Sequence, residues 1–401
     1  MNVLGRAALA LTWMVAAIIL PLGAVAAETA PTMAKMQHGK LQLGASAVFT
    51  PDGAVLAVSK QGDHVVLSRS TDLGKTWTEP TKVNAQPETI SADGQNRPKI
   101  ALASDGGVLV SWTHPLPKAY TGAVRLARSS DGQTFGAPLT VHSDTDEITH
   151  RFESMLTLPG NKVLLAWIDK REYEAAKARK MPYRGAGIYA AMSIDGGKTF
   201  QREYKLADHS CECCRLGSAI DSDGAPLFLW RHVFEPNERD HALARLKPDG
   251  TLDTLRRATF DRWKLDGCPH HGPSLAVDAQ GVRHAVWFNQ KDGDGRVFYG
   301  RLVNQGKDLT VEGQQPVGGK RAAHADLAVA ANKLAVAWTE FDGDKTLAQA
   351  MVSVDGGKSF KSSTLGETDG ASSQISVIRR GDALFVFWNT EKEGLRLLPL
   401  P

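Results

Sequence analysis

The 401-residue chain is 42% hydrophobic and carries 38 glycines and 19 prolines. That composition excludes disorder and describes a large core divided among many short elements joined by tight turns. The formal charge of only +3 includes the leader and excludes a broad basic surface for nucleic acid or anionic lipid. The expected partners are a small molecule, a glycan, a metal ion or an envelope protein.

The N-terminal segment carries Arg6, then an apolar run from Ala7 to Leu22, and then the small residues Ala24-Val25-Ala26-Ala27 before Glu28. This is the order of a secretory signal. Pro21 and Gly23 end the run near 16 residues, short of the roughly 20 that a spanning helix needs. Residues 1–27 are read as a signal peptide cleaved near Ala26 or Ala27, and 28–401 as one exported domain, periplasmic or secreted. No later stretch is apolar and long enough to span a bilayer, so the thiols of the mature chain are expected where they can oxidise.

Three octads follow one pattern: Ser70-Thr71-Asp72-Leu73-Gly74-Lys75-Thr76-Trp77, Ser193 to Phe200 and Ser353 to Phe360. Ser129 to Phe135 is a shortened copy. Gly supplies backbone freedom for a tight turn, and the Asp and hydroxyl side chains bond its amides, so these residues are read as structural. Strands ending in Trp recur at Val108–Trp112, Val163–Trp167, Leu227–Trp230, His284–Trp287, Leu334–Trp338 and Leu384–Trp388, and Val55–Val58 makes a seventh. A spacing of about 40 to 60 residues fits one four-stranded antiparallel blade per repeat. The fold class is therefore all-β, a β-propeller with seven blades expected and six the alternative. The octad turns fall on one face. The segments Lys40–Leu43 and Leu395–Leu398 are expected to complete one blade and close the ring.

On the opposite face, the blade-to-blade segments supply Asn96-Arg97, His150-Arg151, Cys211-Glu212-Cys213-Cys214-Arg215, Gly267-Cys268-Pro269-His270-His271 and His324. Loops between second and third strands add His114, a predicted short helix within Asp169 to Arg184, the stretch from Arg231-His232 to Asp240-His241, and Asn289 to Arg296. All four cysteines belong to this face. An even count in an exported chain suits disulfides, with Cys268 pairing one member of the Cys211–Cys214 group. Converging thiolates and imidazoles from Cys211, Cys213, Cys214, Cys268, His270 and His271 suit copper or zinc, with His232, Asp240 and His241 as further or supporting ligands. Both readings stand at this point. Arg97, Arg151, Arg215 and Arg231 are the candidate anion ligands.

The octads resemble the Asp-box, or bacterial neuraminidase repeat, of sialidase-like propellers, and the likeness covers the whole mature chain. The Cys-Glu-Cys-Cys-Arg and Cys-Pro-His-His-Gly-Pro segments look like those of an exported bacterial subgroup. The resemblance implies an exo-glycosidase of the exo-alpha-sialidase type, in which three arginines clamp a carboxylate, a tyrosine activated by a glutamate attacks, and an aspartate serves as acid or base. The chain departs from that pattern. Asn96-Arg97-Pro98 follows the first octad instead of preceding it, and the last tyrosine, Tyr299, falls on an outer strand. Phosphate loop, dinucleotide fingerprint and nucleophile elbow are all absent. A face that binds a metal or an anion is the leading reading, with a glycosidase and a non-catalytic interaction scaffold as alternatives.

Overall fold

A computed structural model describes residues 41–291 and 294–401. The leader expected at 1–27 lies outside the described residues. Six antiparallel sheets of four strands and a seventh of three follow one another along the chain, each with its strands in sequence order. The first strands, Ser46–Phe49, Lys99–Leu102, His150–Leu158, Gly217–Ile220, Ser274–Val277, Ala322–Ala330 and Ser376–Arg380, contact one another in turn, and the last touches the first. The result is a closed seven-bladed β-propeller. The expected helix is present at Arg171–Ala178, and no helix among the described residues is long and apolar enough to cross a membrane.

The core lies between blades. A sheet must bury its apolar face against something, and here each cluster joins side chains of two neighbouring blades. The tryptophans that end the second strands fill these seams. Trp112, Trp167, Trp230, Trp287 and Trp388 are almost fully enclosed, and Trp338 nearly so.

The octads close the outer hairpins with one repeated network. Ser70 Oγ donates to Asp72 Oδ1 at 2.8 Å and accepts from Gly74 N at 2.8 Å, while Thr76 N and Oγ1 donate to the Asp72 carboxylate at 2.9 and 2.7 Å. The octads at Ser193 and Ser353 repeat it. The Thr76 hydroxyl and amide hold the Asp72 carboxyl down to about 2. A carboxylate saturated in this way is a turn clamp.

Closure of the ring differs from expectation. Among the described residues, 41–45 form no strand and the last blade has three, so Leu41–Leu43 does not pair with Leu395–Leu398, while Lys40 of the expected segment lies outside the described residues. The seam is closed by side chains instead. Blade one has Ser59 where the other blades place tryptophan after the position paired to the first strand, and its octad tryptophan takes over. Trp77 packs with Phe387, Leu395 and Leu397, and its indole N–H donates to the Leu395 carbonyl at 3.2 Å. Asn389 Nδ2 donates to the Leu43 carbonyl at 2.9 Å across the same seam. Gly44 N donates to the Ala92 carbonyl at 2.8 Å, which ties this segment to the one leading into blade two.

This seam buries less than the others, so truncating its tryptophan isolates its contribution. Trp77→Ala is expected to lower unfolding stability by about 2 kcal/mol, against 3–5 for a fully enclosed tryptophan. Urea unfolding of the two variants Trp77→Ala and Trp167→Ala measures the difference, and an unchanged midpoint for Trp77→Ala rules out closure by this contact.

Candidate functional site

Alternating strand direction puts the blade-to-blade segments and the second-to-third-strand loops on the face opposite the octads. Two of these segments carry the cysteines, one leading into blade four and the other into blade five. Cys211 is fixed by its backbone N–H donating to the Arg231 carbonyl at 2.8 Å, so it continues the sheet edge. The chain then turns inward over Cys213 and Cys214. The sulfurs of Cys211, Cys213 and Cys214 lie within 4.8 Å of one another, with Cys211 to Cys213 at 3.9 Å and Cys211 to Cys214 at 3.7 Å. An ion bound tetrahedrally by thiolates at 2.3 Å separates its sulfurs by about 3.8 Å. The donor set and its spacing therefore fit a thiophilic ion. The separations exceed a sulfur–sulfur bond, and all four cysteines are free thiols.

The three sulfurs are enclosed, whereas Cys268 is exposed and stands outside their group. Hydrogen bonds from the Cys213 and Cys214 thiols, aided by Arg231 and Arg239, hold the Cys211 thiol well below its ordinary range. Arg239 Nη1 reaches Cys211 Sγ at 3.6 Å. Donating to Cys211 drives the Cys213 thiol up. Cys211 thus sits between two thiols and a guanidinium.

Beside this cluster, the central channel opens among arginines. Arg97 Nη1 donates to the Gln374 carbonyl at 2.5 Å, and Arg215 donates to the carbonyls of Pro273 and Ala325 at 3.0 and 2.6 Å. Burial and the neighbouring Arg215 push Arg97 down to about 10, with Asp326 opposing. Gln95 Oε1 accepts from Arg215 N at 3.0 Å and from Gly272 N at 2.8 Å, bracing the two cysteine-bearing segments against each other. Arg151 differs from Arg97 and Arg215 in that its Nε is buried without a protein partner. Burial lowers the Arg151 guanidinium, and Asp93, Cys213 and Glu153 raise it. Gln95 Nε2, Gln374 Oε1 and His324 Nδ1 are also buried and unpartnered around this mouth. Such atoms call for a polar occupant.

The remaining expected residues divide between the two centres. The His271 ring stacks between Phe288 at 4.2 Å and His324 at 4.1 Å, while His270 is exposed in a left-handed conformation. Arg231 is fully enclosed. Its guanidinium donates to the carbonyls of Arg239, His271 and Phe288 and to Asn289 Oδ1. Asp240 receives Arg257, the Arg262 amide and Asn289. His241 lies against Thr259 within blade four. His232 packs against Phe234 at 4.4 Å. None of His232, Asp240, His241, His270 or His271 belongs to the group of ligand atoms within 4.8 Å of one another. Gln95 and Asp326 were not legible as site residues, because each is recruited from a separate segment by the ring, whereas Arg239 belongs to the loop already expected on this face.

His232 carries a pH signature. Burial, then His209, Arg184 and Arg257, push its imidazole down to about 3. The unfolded chain binds the proton near 6.5, so the stability tied to the neutral ring is complete above that value. It falls by about 1.4 kcal/mol per pH unit as pH drops from there toward 3. His232→Phe is expected to show a shallower loss of Tm between pH 7 and 5 than the unmodified protein, and an unchanged slope excludes His232 as a source.

No family model and no curated protein matches the chain. Its fold is similar to solved β-propellers that act on carbohydrates. A polysaccharide lyase of family PL25, an ulvan lyase bound to -[GlcA(1-4)Rha3S]-, is 12% identical over 88% of this chain and 90% of its own, with TM-score 0.58. The polysaccharide lyase Uly1 is 10% identical over 89% and 88%, with TM-score 0.53. An alpha-L-arabinofuranosidase of Fusarium graminearum is 15% identical over 78% and 92%, with TM-score 0.50. At these identities the likeness is one of fold.

Proposed function

We propose that this chain is an exported propeller that binds a thiophilic metal ion, copper or zinc, at Cys211, Cys213 and Cys214. The sulfur separations of 3.7 and 3.9 Å carry the reading, because they equal those around a bound ion while the cysteines come from one tight turn. Arg239 and Arg231 supply positive charge beside the thiolates. Three enclosed sulfurs suit trigonal Cu(I), and Cys268 or water completes a tetrahedron for Zn(II).

Untagged protein purified under reducing conditions is expected to hold one equivalent of copper or zinc by elemental analysis. Cys213→Ser is expected to lower affinity at least 100-fold, by the loss of a ligand where a supporting residue alone costs 10- to 100-fold, while His241→Gln keeps the ion. Two disulfides and no metal in protein isolated without reductant and then reloaded anaerobically would sink the reading.

A second reading rests on the channel mouth. Arg151, buried with an unpartnered Nε, suits an anionic group such as a uronate. The ulvan lyase neighbour, bound to a glucuronate-containing saccharide, supports that ligand class. Hydrolysis of the sialidase type has less support. Tyr299 is fully enclosed, hydrogen-bonded to His284 at 2.8 Å and packed beneath Gly357 of an octad. Titration with a glucuronate-terminated oligosaccharide is expected to give binding that weakens about tenfold in Arg151→Ala, and equal affinity in both proteins would dismiss this reading.

A further inference from the structure

On the octad face, in the seam between blades five and six, the turns joining first to second strands meet the Ser353 octad around a cavity of about 420 Å³. That volume is typical of small-molecule sites. Both carboxylates in its wall are already saturated. Asp278 Oδ1 accepts from the amides of Gln280 and Val282 at 2.9 and 2.8 Å, and its Oδ2 faces His284 Nε2 at 3.2 Å. Asp355 accepts from Ser353 Oγ, the amides of Lys358 and Ser359, and Ser359 Oγ.

The cations of the wall are less fully met. Lys358 is exposed, and its Nζ has no hydrogen bond or ion pair among the described residues. Arg301 Nη2 pairs at 3.2 Å with Glu312, which does not line the cavity, and its Nε is buried without a partner. Lys333 Nζ donates to the Pro401 oxygen at 3.1 Å. Val282, Val329, Leu334 and Val354 make the wall apolar between these charges, and Val354 is 62% exposed. No phenyl, phenol or indole ring is among the lining residues, so a sugar or a nucleobase finds no face to stack on.

We propose that this cavity binds a small organic anion with an aliphatic body, a short-chain carboxylate, whose head group is taken by Arg301 and Lys358 and whose chain lies on Val329, Leu334 and Val354. Guanidinium donors match a carboxylate in geometry as well as charge, and covering the chain removes apolar surface of both partners from water. The bonds around Asp278 and Asp355 fix the wall before a ligand arrives, so binding requires little ordering of the protein. The cavity lies on the face opposite the thiolate centre, and its occupancy does not depend on the metal reading.

Calorimetric titration of the whole protein with hexanoate, hexanol and acetate tests the assignment, with the ring resonances of His284 as a local reporter. Hexanoate is expected to bind with a Kd of about 1 mM or below, and hexanol and acetate about tenfold more weakly. Arg301→Gln is expected to weaken hexanoate about tenfold and Lys358→Gln about threefold. Val354→Asp, which sets a like charge beside the ligand, is expected to weaken it about tenfold. Lys358 and Val354 are exposed, so their variants keep the fold and read the cavity alone. Hexanol bound as tightly as hexanoate overturns the anion assignment, and full affinity in both Lys358→Gln and Val354→Asp overturns the location. Neither heat nor a shift of the His284 resonances at about 10 mM hexanoate overturns the proposal outright.

Discussion

The structure depends on blades that cannot bury their own faces. Each sheet is apolar on both sides along its second and third strands, and burial is completed only by the next blade, so all seven seams must exist together. Closing the ring also removes the innermost strands from contact with other chains. Tryptophan at the end of a second strand serves six seams. At the seventh, the first blade has no such tryptophan, and Trp77 reaches over from an octad to Leu395 and Leu397. Side-chain packing thus does at this seam what a shared strand was expected to do.

That closure creates the chemistry of the face opposite the octads. The segment leading into blade four brings three cysteines into one turn, and the segment leading into blade five, which carries Cys268, is held alongside it. Gln95, from blade two, ties both segments together through Arg215 and Gly272. Burying guanidinium groups is costly unless their hydrogen bonds are met. Arg231 and Arg215 meet the cost with backbone carbonyls, which fixes the loops that hold the sulfurs. The helix Arg171–Ala178 is tethered to the same region by the ion pair between Lys170, at its start, and Glu212, between the cysteines.

The two faces follow opposite physical rules. In the octads every carboxylate oxygen is saturated by its own turn, which leaves rigid corners with no reactive group. On the other face several buried polar atoms lack protein partners, and Cys211 lies within reach of the Arg239 guanidinium. The Asp turns and the cysteines thus lie on opposite faces of the ring, at opposite ends of the blade strands.

Local information fixed the repeat. The octad pattern, the period-2 strands ending in tryptophan and the helix-forming run near Glu172 each stabilise a structure formed by residues adjacent in sequence, so blade number, turn positions and the helix were readable. The convergence of Cys211, Cys213 and Cys214 was partly readable for the same reason, since they share one turn. Ring closure by Trp77, the bracing by Gln95, the outward position of Cys268 and the enclosure of His241 outside the sulfur group were not. These depend on contacts between residues as far apart as Trp77 and Leu395. Such contacts exist only once seven blades have closed, and no single segment's preferences encode them.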